Sequence, residues 1–260
     1  MKTVRILNLF SLLASITVNV LANALPINNI TTGELSDQYP VLFTPAGYVF
    51  AIWGLIYVSL LAFGLFQVLP NQRENTHLDK IGPWFVLANI FNGGWIFAWH
   101  YELVPLSMAL MIGLLISLLA IYHRLNIGRE NPGQIIQTFV HFPFSIYLGW
   151  ISVATIANAS VLLYTLDWNG WGLTPEVWTI LVLAVGTVLG ILMIRLRNEI
   201  AYPLVLVWAF AGILFKPQSM PPVSTAAGAA ALGLLLFLMI TLLRARQQSL
   251  VEARKDRAKF

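Results

Sequence analysis

Eight runs of predominantly apolar residues dominate this chain, near positions 4–24, 45–69, 82–100, 103–122, 139–164, 177–194, 201–215 and 223–243. A helix of about 20 apolar residues spans the roughly 30 Å of bilayer hydrocarbon. The expected fold class is therefore an all-α integral membrane protein. Composition agrees: 58% of the residues are hydrophobic, 10% are charged, and the mean hydropathy is +0.76. The seventh run is the shortest and carries Pro203 near its start.

The basic residues test this count independently, because cytoplasmic loops hold the excess of Lys and Arg. With the N-terminus inside, the inside segments hold Lys2 and Arg5; Arg73 and Lys80; Arg124 and Arg129; Arg195 and Arg197; and the cluster from Arg244 to Lys259. Only Lys216 falls outside. A miscounted helix would scramble that alternation. The expected topology is eight helices in a cell membrane, bacterial by expectation, with both termini cytoplasmic. The pI near 9.5 then reflects topology, and the basic tail is expected to touch anionic lipid heads, with no role for nucleic acid. The first run also reads as a signal peptide ending in Ala22-Asn23-Ala24; cleavage there would leave seven helices and the same charge pattern.

Several chemistries are disfavoured. All acidic and basic residues fall in loops or at span ends, whereas pumps and ion-coupled carriers keep ionisable groups inside the bilayer. There is no cysteine, no HExxH, no phosphate-cradling loop and no nucleophile elbow. His100 with Glu102 is expected to be an interfacial, solvated pair, and His141 to make a hydrogen bond at a helix end. No catalytic or metal-ligating set is expected.

What the spans contain is aromatic residues in stripes. At 100° per residue, Tyr147, Trp150, Ala154 and Asn158 fall within an arc of about 80°. Trp84, Ala88, Asn92, Trp95 and Trp99 share one side of the third helix, and Phe50, Trp53, Tyr57 and Gly64 one side of the second. Interfacial anchoring accounts for Trp168, Trp171 and Trp178. Trp53, Trp95 and Trp150 lie deeper, where an indole N–H needs a partner. Flat rings interleaved with small residues and amides suit a slot for a planar, apolar molecule, while helix packing alone would favour small residues.

The same stretches resemble the tryptophan-rich sensory protein family, also called TspO/MBR or translocator-protein. "TPAGYVFAIWGLIY" supplies Pro45, Tyr48, Val49, Phe50, Trp53 and Tyr57; the third helix supplies Phe91, Asn92 and Trp95; the fifth supplies Tyr147, Leu148, Trp150, Ala154, Thr155 and Asn158. The resemblance covers roughly residues 5 to 165 and favours a retained first helix. It departs in three places. Phe50 to Trp53 is one residue shorter than the family spacing, Ile146 stands where a Pro commonly precedes the Tyr, and no Lys or Arg follows Tyr164 closely enough for the sterol-recognition pattern.

The resemblance implies a five-helix bundle over 1–165 with a ligand pocket covered by the first loop, residues 25–44. Three further transmembrane helices follow over 166–243, then a basic tail over 244–260. Gly186 and Gly190 on the sixth helix, and Thr225, Ala229 and Gly233 on the eighth, read as packing features. The implied function is binding of a planar hydrophobic ligand, most plausibly a porphyrin or haem-like tetrapyrrole, for sensing, trafficking or regulation. The expected ligand-binding residues are Phe50, Trp53, Tyr57, Asn92, Trp95, Tyr147, Trp150, Ala154 and Asn158. A porphyrin-degrading enzyme and a small-solute transporter are the alternatives. Expected partners are the lipid bilayer and a hydrophobic small molecule, with a homodimer left open.

Overall fold

The computed structural model describes residues 3–25, 27–216 and 220–257. Lys2 and Lys259, counted above among the inside charges, lie outside the described residues, as do the side chains of Arg254, Lys255 and Arg257. The chain is all-α, with no strand among the described residues. The long helices are α1 (Thr3–Ala24), α2 (Ile52–Phe66), α3 (Trp84–His100), α4 (Val104–Arg124), α5 (Phe142–Thr165), α6 (Pro175–Arg197), α7 (Ala201–Leu214) and α8 (Pro221–Arg257). Six helical segments are long and apolar enough to cross a membrane; α3, with 17 residues, and α7, with 14, are shorter.

Two helices begin irregularly. A 3-10 turn, Gly47–Ala51, leads into α2. A π-helical segment, Gln137–His141, leads into α5 just before Pro143. Proline cannot donate to the preceding turn and its ring crowds that turn's carbonyl, which a wider turn relieves.

Helices α3 and α4 form a hairpin; α1 packs on α3 and α2, and α5 contacts α2, α4 and α7. The mating face of α1 is polar: Arg5, Asn8, Leu12, Ser15, Asn19 and Ala22 are its buried residues, spaced three and four apart. Asn8 Nδ2 donates to Gln67 Oε1 at 3.3 Å, and Ser15 Oγ and Asn19 Nδ2 donate to Asn92 Oδ1 at 2.9 and 2.6 Å. Inside a membrane such groups need protein partners, and α1 brings them to α2 and α3.

The last three helices join this bundle through α7, which packs on α5, α6 and α8. Although only 14 residues long, α7 buries eight of them. Gly149 of α5 lets it come close: a Cβ there would lie 3.0 Å from Val205 Cβ. At its other end Gly212 sits so near Val49 that a Cβ would collide with it. On α6, Gly186 and Gly190 do mark a packing seam, since a Cβ would lie 2.9 Å from Phe210 and 2.8 Å from Leu234. The expected small-residue ridge on α8 is different. Thr225, Ala229 and Gly233 are exposed, and the buried line of that helix is Val223, Ala227, Ala231, Leu234 and Leu238. The buried line still includes two small residues, Ala227 and Ala231, but it lies on a different face of the helix from the expected ridge.

Polar contacts gather the connections at two ends. At one, Arg5 pairs with Asp79 at 2.8 Å, Lys80 with Glu130 at 3.3 Å, and Arg197 donates to Asn126 Oδ1 at 3.3 Å. At the other, Tyr39 donates to Glu102 Oε2 at 3.2 Å and Lys216 pairs with Asp37 at 3.7 Å. The connections holding the sorted Lys and Arg residues thus share an end. Helix α8 runs unbroken into the basic tail, as far as Arg257.

Candidate functional site

The aromatic stripes converge. Phe50 and Trp53 from α2 and its lead-in turn, Trp95 from α3, and Trp150, Ala154 and Asn158 from α5 line a common cavity beneath the first loop. The rings meet mostly edge to face, the arrangement their quadrupoles favour. Trp150 lies 5.6 Å from Phe50 and 6.2 Å from Trp53, at interplanar angles of 81° and 83°. Trp53 stacks on Tyr57 at 5.1 Å. The loop supplies Thr32, Ser36 and Pro45 to the wall.

Three expected residues, Tyr57, Asn92 and Tyr147, stand outside this lining. Asn92 is fully buried with its carbonyl oxygen taken by Ser15 and Asn19, so it joins α1 to α3. Tyr147 is 1% exposed and meets Trp53 edge-on at 5.9 Å, behind the wall. Asn158 Oδ1 accepts from Trp95 Nε1 at 2.8 Å, which fixes two lining residues to each other. By contrast Trp150 Nε1 is buried without a hydrogen-bond partner, and leaving a buried donor unmade costs about 1–3 kcal/mol.

The sequence reading missed Trp99 and the loop residues. Trp99 lies on the third-helix stripe, at its end; it stacks on Trp95 at 5.9 Å and donates to the Thr32 carbonyl at 3.4 Å. His100, expected to be solvated, is 2% exposed: its Nε2 lies 3.0 Å from Thr32 Oγ1, and its carbonyl accepts from Asn28 Nδ2 at 2.9 Å. It ties down the loop, which crosses over it. His141 meets His77 with their Nε2 atoms 3.0 Å apart. Nothing in the sequence signalled either partner, because both contacts bridge residues far apart along the chain.

The loop is also held from the far side. Ala46 N donates to Gly212 O at 3.1 Å, Trp208 Nε1 to Val49 O at 3.0 Å, and Lys216 Nζ to Thr44 O at 3.1 Å. Burial pushes the Lys216 ammonium pKa down, opposed by the Asp37 carboxylate beside it. Tyr39, which joins the loop to Glu102, has its phenol pushed up to about 12 by burial and by that carboxylate.

The cavity has a volume of about 40 Å³. Pockets that hold drug-sized molecules run to roughly 300–1,000 Å³, so a tetrapyrrole macrocycle does not fit the arrangement described. The residues suit such a ligand chemically, with apolar rings and one unpaired donor, Trp150 Nε1, but the space does not. Among the described residues no group of three or more His, Asp or Glu side chains could hold a metal ion.

No curated protein and no solved structure gives a significant match to the chain. A family model does, that of the TSPO-like proteins, over residues 5–240. The match runs beyond the motif-bearing helices and through α6, α7 and most of the apolar part of α8. With the aromatic cavity, the all-α membrane architecture and a match over most of its length, the chain belongs to the TSPO-like protein family.

Proposed function

We propose that the protein binds a planar hydrophobic ligand within the membrane, at the cavity walled by Trp53, Trp95 and Trp150, and that the first loop must yield for the ligand to enter. The observation that carries this reading is Trp150 Nε1, a buried donor with no partner, among rings around an existing hollow. A ligand with an acceptor atom would satisfy that donor, and its faces would stack on the indoles. The 40 Å³ volume sets the condition: a large planar ligand displaces the segment from Thr32 to Pro45 and turns the Trp53–Tyr57 pair. A porphyrin is the test ligand because its flat, apolar ring and acceptor atoms match those features, and because the family resemblance implies it. In the membrane, the end bearing the basic connections faces the cytoplasm, which places the loop outside.

The test is titration of protoporphyrin into the purified chain, followed by tryptophan quenching corrected for absorption. Ala154→Phe fills the hollow and abolishes binding, whereas Trp171→Ala leaves it unchanged. Equal affinity in the wild type and Ala154→Phe overturns the proposal.

A further inference from the structure

A cavity of ligand dimensions lies elsewhere. A hollow of about 500 Å³ sits between the segment Pro40–Phe43, the second half of α5, and the start of α6 with the loop before it. It is more than ten times the volume of the aromatic cavity and within the range of small-molecule sites, roughly 300–1,000 Å³. The two hollows lie on different faces of α5: Ala154, Ala157 and Asn158 line the first, Ile156, Ala159 and Ser160 the second. They share the loop as a partition, with Pro45 on one side and Pro40–Phe43 on the other.

Its chemistry is graded along the helix axes. The lining holds no Asp, Glu, Lys, Arg or His. Its deep end is Ile156 and Val182; its mouth carries Tyr164, Trp168, Asn169 and Trp178. From Ile156 to Tyr164 is about 12 Å at 1.5 Å per residue, close to the roughly 15 Å that half of a 30 Å hydrocarbon layer provides. Trp168 and Trp178 pack at 5.0 Å, and Trp178 Nε1 donates to Gly170 O at 2.7 Å, so the rim is fixed. Indoles at a helix end, apolar on one side and wet on the other, mark the headgroup level.

We infer that this hollow is a second site, which holds the hydrocarbon chain of a membrane lipid as a fixed ligand. An uncharged, apolar channel one leaflet deep, with an aromatic rim at the headgroup level, is complementary to a single acyl chain entering from that leaflet. A flat macrocycle with acidic substituents finds no cation there. The chain is enclosed jointly by α5 and by α6, so the site exists only because the C-terminal helices pack on the bundle. It also braces Pro40–Phe43, part of the loop that closes the aromatic cavity.

The test uses the full chain in vesicles of phosphatidylcholine that carries a diazirine near one chain end. After irradiation, adducts are mapped by mass spectrometry, and lipid retained after detergent extraction is counted by native mass spectrometry. Adducts are expected to concentrate on 156–164 and 175–182, well above the lipid-exposed face of α8 at Leu235, Leu236 and Met239. One lipid should survive extraction. Ala159→Trp and, separately, Val182→Trp fill the hollow from opposite walls, so both lose the retained lipid and the excess labelling; Val182→Leu, which keeps the fold with less risk, reduces them. Ala154→Phe, in the aromatic cavity, leaves them intact. Uniform labelling of all lipid-facing helices overturns the inference, and so does retention of the lipid in either folded Trp variant. Loss of labelling in Ala154→Phe overturns it too, by assigning the lipid to the first cavity.

Discussion

Trp95 and Asn158 face each other across the aromatic cavity, with the indole Nε1 donating to the amide oxygen at 2.8 Å. Ser107 Oγ completes the set, accepting from Asn158 Nδ2 at 3.0 Å. The bond joins α3 to α5 in a region where no water substitutes for a lost partner. Asn158→Leu leaves the Trp95 indole unpaired and should cost about 1–3 kcal/mol of stability. Trp95→Phe removes the donor and leaves Asn158 with Ser107, so its cost should be smaller. Thermal unfolding in a mild detergent checks the order. Equal losses would mean that ring volume, not the hydrogen bond, sets the energetics of this pair.

Trp150 should behave in the opposite sense. Its Nε1 is buried without a partner, so Trp150→Phe removes a desolvated donor at the cost of some ring contact. The variant should keep wild-type stability to within about 1 kcal/mol, while its affinity for protoporphyrin falls. Thermal unfolding and the quenching titration are read on the same preparation. A marked loss of stability with unchanged affinity would make Trp150 a packing residue only.

How much of this was legible follows from what sets each feature. The long apolar helices were readable because lipid imposes the length and polarity of such segments; α3 and α7, at 17 and 14 residues, are shorter. The convergence of Phe50, Trp53, Trp95 and Trp150 was readable because helical periodicity assigns each a face. Asn92 stands outside the lining for a physical reason: the same period puts it on the stripe, but its partners Ser15 and Asn19 sit on α1. The volume of the cavity was not legible at all, because it depends on rotamers and on where the loop settles. Nor was the larger hollow, which needs α6 set across from α5 through the packing of both on α7, an arrangement with no sequence mark.

The loop over the aromatic cavity is fastened to α7, and that fastening should set the rate of ligand entry. Lys216 Nζ holds Thr44 O and Asp37, and Trp208 Nε1 holds Val49 O. Lys216→Ala and Trp208→Phe each remove an anchor without touching the cavity lining. Both should speed ligand association in stopped-flow quenching, with a smaller change in equilibrium affinity. Unchanged association rates in both variants would place the entry route elsewhere, such as between α2 and α5 from the bilayer.

Orientation is checked on this cysteine-free chain by single cysteines at Gln38, Glu74, Asn169 and Gln248, all exposed positions. An impermeant maleimide added to intact cells should label positions 38 and 169 and spare 74 and 248. Ser36 is unsuitable because it is buried against the cavity. Labelling at 74 would invert the assignment of ends.

Glu199 provides the pH test. It lies between α6 and α7, 8% exposed, with Ser145 Oγ donating to Oε1 at 3.0 Å and Tyr202 N to Oε2 at 3.3 Å. Burial raises its pKa above the ordinary carboxylate value, and the two hydrogen bonds only partly oppose this. The folded chain therefore holds this proton more tightly than the unfolded one. The resulting stability is present below the unfolded value of 4.5 and is lost as pH rises through the folded value. Glu199→Gln keeps the shape and removes the ionisation. Its unfolding temperature should exceed that of the wild type at about pH 8 and fall to or below it near pH 4. A variant less stable than wild type across that whole range would show that Glu199 is ionised in the folded chain and that its two donors outweigh the cost of burying the charge.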